Sequence, residues 1–448
     1  MTKFVSWPII TLASGVIFGA LGSDGFTAEQ VVTGKSLTLK ECLATALTNN
    51  PIMREAQLGV DAAGKGVQSA QGKHYPRLSL DGVMVARQDP LPYIPAQSST
   101  IGPHFSDSVA SWGPVLSMPI YQGGQISRNV ELAKLRQRSQ EDAQSLTRND
   151  LIANTVNTYN KILQLRKLLE ASGASVKALE EQRKNVQQLY DVKRAARVDL
   201  LKVEVQLANE KQRLLTLSES MTTLSAVLRS LMGESVEGSI VPLVLADSLS
   251  LVPDPLGSFE DGLRAARQQR PEYLIAVKAV EEARLTMKNA SSKLQPSINV
   301  FAAYTDQAGF NPSYDEAGWT VGVSASVPLF EKSLYSDVAK ERVLHRKAGE
   351  HLQVVENQVR VEIQIALSSL VDSKARITTA ERAVEQAAES FRIEQQKYDT
   401  GAGAMAELLL AQAADVTAAA NYAQALFDFN AAWVAYRRAT GIMEEYLK

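Results

Sequence analysis

The chain has one cysteine, Cys42, in 448 residues, which excludes an intrachain disulfide and a cluster of thiolate metal ligands. Its four histidines are few for a metalloprotein, and His345 and His351 lie six apart in a helical pattern, on different faces. Neither sign of charge dominates. The 47 Lys and Arg against 49 Asp and Glu give a formal net charge of −2, which removes the broad basic footprint of a nucleic-acid partner. HExxH and G-x-S-x-G are absent. Residues 59–65 imitate a phosphate-binding loop, but Gly66 stands where Ser or Thr is required, and no strand pattern precedes the motif. No catalytic, cofactor or metal site is expected, and no enzymatic activity.

Long apolar runs are missing too, except at the N-terminus. There Lys3 precedes an apolar stretch over 4–21, broken by Pro8 and followed by Gly22 and Ser23. This reads as a secretory signal peptide over about 1–28, cleaved between Ala20 and Ala28. Elsewhere nothing reaches the 18 or more apolar residues of a membrane helix. If the mature chain crosses a membrane, it does so with strands.

Residues 319–329 supply one. Trp319, Val321, Val323, Ala325, Val327 and Leu329 alternate with small or polar residues, so one face of the strand is apolar. About ten tilted residues suffice for a membrane-crossing β-strand. Further strands are expected after Pro76, over 109–120, and after Pro296; the stretch 89–108 reads as a loop. Trp112, Leu116, Met118 and Ile120 fall on one face, and Pro114 removes one ladder hydrogen bond.

The order of elements occurs twice. Arg270–Pro271 repeats Asn50–Pro51, and Gln295–Pro296 repeats Tyr75–Pro76, both at an offset of 220. Pro328 repeats Pro119 at 209, while Tyr398 repeats Tyr190 and Gly441 repeats Gly233 at 208. Insertions therefore concentrate in the loop between paired strands, where backbone changes cost least. The units are 29–233 and 259–448, each helix–helix–strand–loop–strand–long helix–helix, with 234–258 a linker or equatorial segment. The long helices carry heptad spacing. Leu352, Val355, Val359, Ile363, Ala366, Leu370, Ser373, Ile377, Ala380, Val384, Ala387 and Phe391 form one seam; Ile162, Leu165, Leu169, Ser172, Val176, Leu179, Arg183, Val186 and Tyr190 form the other.

Four strands cannot close a barrel, and an open edge in lipid leaves backbone groups unpaired at a cost of a few kcal/mol each. Other copies of the chain must complete the sheet. A closed barrel continued by heptad helices is a conduit. Trp112 and Trp319 share the apolar face and are expected in an aromatic girdle at the lipid interface.

Leu39…Ala46-Leu47…Asn50-Pro51, Pro76-x-Leu-Ser-Leu and Trp112…Pro119-Ile-Tyr-Gln-Gly-Gly, with second-copy partners ending in Lys397-Tyr-Asp-Thr-Gly, resemble the TolC-like outer-membrane efflux protein family. The resemblance implies a homotrimer, with a twelve-stranded membrane β-barrel, set in outer-membrane lipid, on a long periplasmic α-helical barrel. It also implies partners: a periplasmic adaptor (membrane fusion) protein and an inner-membrane pump, in drug export or protein secretion. It further implies a periplasmic gate on the turns after the long helices, where Tyr398, Asp199 and Glu407 match. Gly403 stands in place of the gate arginine, Leu410 in place of a ring aspartate, and Lys193 in place of a turn glycine. The first-copy residues Lys193, Arg194 and Arg197 are therefore expected to take part in latching the tip. The function expected is an exit duct energised by the pump. The alternatives are a metal-efflux duct of the same family, or a secreted coiled-coil scaffold that does not span the membrane.

Overall fold

The computed structural model describes residues 36–93, 104–235, 242–250, 257–310 and 313–447; the signal-peptide segment lies outside them. The order is α1 (Leu39–Asn49), α2 (Pro51–Gly72), β1 (Arg77–Tyr93), β2 (His104–Gln122), α3 (Gln125–Asp191) and α4 (Arg197–Leu231). It then repeats as α5 (Phe259–Gln269), α6 (Pro271–Ser292), β3 (Ser297–Phe310), β4 (Ser313–Ser326), α7 (Lys332–Asp399) and α8 (Met405–Thr440). A 3-10 turn, Met443–Leu447, follows. Pro51 and Pro271 open α2 and α6, where a missing N–H costs nothing. The first helix starts at Leu39, where Thr38 and Glu41 form a capping box, and Leu37 just before it bridges to Leu245. The imitation phosphate loop lies inside α2.

At 67 and 68 residues, α3 and α7 are each about 100 Å long at 1.5 Å per residue. Their partners come in two pieces. Asn50 Nδ2 donates to Leu231 O at the end of α4 (2.8 Å), and Arg270 Nη1 donates to Ala439 O at the end of α8 (3.4 Å). So α2 begins where α4 stops, and α6 begins where α8 stops. Gly233 and Gly441 make these joints possible. Both are left-handed, and a Cβ on either would fall within 3 Å of the backbone at Asn49 or Gln269. The contacts order the layer as α4/α2, α3, α8/α6, α7, leaving α4/α2 free at one side and α7 at the other.

The heptad seams are buried only in their middle parts, from Val359 to Ile377 and from Ile162 to Val186, where Arg183 stays exposed and Leu169 half-buried; Leu352, Val355, Ala380, Val384, Ala387 and Phe391 are half-buried within the single chain and Tyr190 is exposed. A larger core joins α3, α4, α5, α7 and α8 to Leu245 and Leu249. Arg166 fastens this segment by donating to Leu245 O (2.7 Å), and the Tyr159 hydroxyl donates to Asp247 Oδ2 (2.7 Å).

The four strands form one antiparallel sheet, β1-β2-β3-β4, with β1 and β4 as its edges. Its register sorts residues by face. Leu78, Leu80 and Met84, Trp112, Leu116 and Met118, Val300, Ala302 and Tyr304, and Trp319, Val321 and Val323 share one side. Arg77, Ser79, Ser111, Ser117, Asn299, Thr305, Gln307, Thr320 and Ser324 share the other. Period-2 patterning thus yields one largely apolar face, interrupted by Asp306 opposite Trp112, and one more polar face on which Val83, Val115 and Phe301 also stand.

Three strand expectations are corrected. The stretch 89–108 is not loop throughout, since β1 runs to Tyr93 and β2 starts at His104, paired to each other. Residues 327–329 do not belong to β4: Ser326 pairs with Ser297, the first residue of β3, so no partner remains beyond it. In β2 a bulge falls between Pro119 and Tyr121, so Tyr121 rather than Ile120 sits opposite Ile298. Pro114 costs what its chemistry requires. It keeps its place against Leu80, and the ladder to β3 skips Gly113 and Pro114.

Candidate functional site

The two hairpin turns at the far end of the long helices, between α3 and α4 and between α7 and α8, are built alike. Lys193 N donates to Tyr190 O (2.8 Å), and Gly401 N donates to Tyr398 O (2.9 Å). Arg194 N reaches Leu189 O (2.7 Å), as Ala402 N reaches Lys397 O (2.8 Å). Asp199 and Glu407 take the same place in the first turns of α4 and α8, each N–H bonded three residues back, to Ala196 O and Ala404 O. A carboxylate there is favoured by the helix dipole.

The turns differ in side chains. Lys193 adopts φ 59°, the conformation that Gly401 takes at φ 77°. An L-residue pays about 1–2 kcal/mol for it. Gly403 is not free to be arginine without adjustment, since a Cβ would lie 2.9 Å from Lys397 Cβ and 3.0 Å from Tyr398 N. Leu410, in the place of the ring aspartate, is 71% exposed. Lys193, Arg194, Arg197 and Glu407 are exposed, and among the described residues none of the four forms an ion pair. Asp199 is half-buried, with Lys202 Nζ at 4.0 Å.

Tyr398 joins the two hairpins. It packs against a cluster of Val176, Leu179, Val186, Leu200, Val203, Leu207 and Met405. Burial, then the negative charges of Asp199 and Asp399, push its phenol above the ordinary tyrosine range. Two polar ties missed in the sequence support the same junction: Gln182 Nε2 donates to Met405 Sδ (3.2 Å) and Gln412 Nε2 to Ser175 Oγ (3.4 Å). Both link α3 to α8. Glutamines on helices carry no sequence signal that separates such ties from solvated positions.

At the other end, Trp112 and Trp319 stand 53% and 73% exposed on the apolar face, opposite Asp306 and Tyr304. No helix among the described residues is long and apolar enough to cross a membrane. The arrangement gathers basic side chains on the first hairpin and an exposed carboxylate, Glu407, on the second.

The sequence pattern of the family described as outer membrane efflux protein matches twice, over residues 42–234 and 262–442, one match for each repeat. The chain is 21% identical over 416 residues to outer membrane protein TolC of Vibrio cholerae, covering 91% of each. Its fold is similar to the Campylobacter jejuni CmeC outer membrane channel (TM-score 0.75, 15% identity, 90% of this chain and 85% of that one). It is also similar to VceC from Vibrio cholerae (TM-score 0.73, 17% identity, 90% and 96%). The chain belongs to the outer membrane efflux protein family, channel proteins of the Gram-negative outer membrane whose helical part stands in the periplasm.

Proposed function

We propose that three copies of this chain close head to tail into a passive exit duct, working with a periplasmic adaptor and an inner-membrane pump in a tripartite efflux or type I secretion system. The observation that carries it is the coincidence of open edges. The free strand β1 leads from the free column α2/α4, and the free strand β4 leads into the free column α7. Strand direction alternates, so β4 of one copy meets β1 of the next antiparallel, completing twelve strands. The interface is heterologous and closes by rotation. Both helical edges expose apolar side chains for it: Val198, Leu201 and Val205 on α4, Val343, Val354 and Val361 on α7. Energy comes from the pump, since the duct moves cargo without a chemical step of its own.

The tip reading follows from the same closure. Unpaired Lys193, Arg194 and Arg197 on one hairpin and Glu407 on the other come close to a threefold axis. Cross-copy pairs between them replace the arginine latch that Gly403 cannot supply, and three carboxylates around a narrow axis favour cations. The test is planar-bilayer conductance of the mature protein beside Asp199→Ala/Glu407→Ala. Cation-selective openings that lose selectivity in the variant are expected. A soluble protein without conductance refutes the duct, and unchanged selectivity moves the gate elsewhere.

A further inference from the structure

We infer that the neck of the duct, where β1 and β2 give way to α2 and α3, holds a binding site for multiply charged organic anions. A cavity of about 800 Å³ lies there, lined by Lys73, Arg77, Ser117, Gln122, Gln125 and Asn129 among others, with no carboxylate in its wall. A second cavity of about 620 Å³ adjoins it, sharing Ser69, Lys73 and Asn129; its wall includes one carboxylate, Glu282. Small residues of α2, Ala63, Gly66 and Ala70, keep its floor low. The only cation in the second cavity besides Lys73 is Arg136, which is already paired with Glu282 at 2.6 Å. Lys73 and Arg77 are exposed and, among the described residues, form no ion pair.

Position gives these charges their meaning. Arg77 sits opposite Ser117 on the polar face of the sheet. In a barrel that face borders water, so the inference rests on the duct reading. Asp81, four residues along β1 on the same face, has the Ser79 hydroxyl at 3.4 Å and does not line the first cavity. A guanidinium and an ammonium beside amide and hydroxyl donors suit carboxylate or phosphate oxygens. The second repeat does not copy the site: Lys293 matches Lys73, but Ser297 stands in the place of Arg77 and Glu331 in that of Gln122.

The experiment titrates citrate into the detergent-solubilised full chain by calorimetry, with single-channel conductance recorded in parallel. Binding is expected to weaken about tenfold or more in Lys73→Gln/Arg77→Gln and to persist in Lys293→Gln, at unchanged conductance. Equal affinity in wild type and the double variant, or no heat at millimolar citrate, overturns the site while conductance keeps the duct. Equal loss in Lys293→Gln shows general charge attraction and also overturns it. Absence of conductance overturns the duct and the neck placement together.

Discussion

Arg270 is 4% exposed, yet it is charged. Its guanidinium meets Glu362 at 2.6 Å and Glu272 at 3.3 Å, and donates to Ala439 O. Arg438 extends the chain of charges, with Asp150 at 2.7 Å and Glu272 at 4.0 Å. Replacing Arg270 by Ala takes the nearest cation from both Glu362 and Glu272, leaving only Arg438, 4.0 Å from Glu272. Breaking a buried pair costs about 3–5 kcal/mol. The described chain, about 400 residues, unfolds with an entropy of about 0.8–0.9 kcal/mol per degree, so Tm falls by about 5 °C. Glu362 supplies the pH arm. Burial raises its pKa, but hydrogen bonds from Gln358 and Arg270 and the arginine charge outweigh this and hold it below the ordinary carboxylate range. A depressed folded-state pKa contributes stability above the unfolded carboxylate value and loses it as pH falls through the folded one. The gap between wild type and Arg270→Ala therefore stays constant around neutral pH and narrows only as the pH falls below the ordinary carboxylate value of about 4.5. The assay is thermal unfolding in detergent at a fixed scan rate. A drop below 1 °C for Arg270→Ala, or no recovery when Glu362→Gln is added, would refute the reasoning.

The exposed pair Arg148–Glu444, at 2.8 Å, is the contrast: Arg148→Ala should move Tm by less than about 1 °C in the same scan. Gly401→Ala should weaken the second hairpin by about 1 kcal/mol while Lys193→Gly relaxes the first, read as faster and slower amide exchange at the two turns; a left-handed residue is strained in one and not in the other. Burial, with Glu41 and Asp247 nearby, pushes the Cys42 thiol up to about 11, so at pH 8 only about one in a thousand is thiolate and a thiol reagent should react only on unfolding. Prompt labelling of the folded protein would contradict that. With Trp433→Phe removing the buried indole, brominated lipid should quench emission from Trp112 and Trp319; unquenched emission would take the apolar face out of the bilayer.

The duplicated prolines and heptads made the two repeats and the seams legible, because both signals are local. Pro51 and Pro271 mark helix starts wherever they stand, and a 3,4 spacing from Val359 to Ile377 names the buried face directly. The ends of strands were not legible. Where β4 stops is decided by where β3 begins, at Ser297, and where β1 ends by its pairing with β2 across an intervening segment. Tip residues were placed by the family resemblance; that a side chain at Gly403 would crowd Lys397 is visible only in the folded turn. Asn50 and Arg270 looked like residues before proline; their grip on the ends of α4 and α8 depends on contacts more than 150 residues away.

The joints at Gly233 and Gly441 give each protomer two kinds of column. In mechanical terms α3 and α7 are unbroken shafts, whereas α4/α2 and α8/α6 are jointed struts. In the shafts one helix runs the whole way; in the struts it is interrupted, and the pieces meet where Asn50 holds Leu231 O and where Arg270 holds Ala439 O together with Glu362 and Glu272. If three copies close as proposed, α4 and α8 are the tip-side pieces of these struts, and a turn begun at the tip meets a joint before it reaches α2 and α6, which run on into the strands.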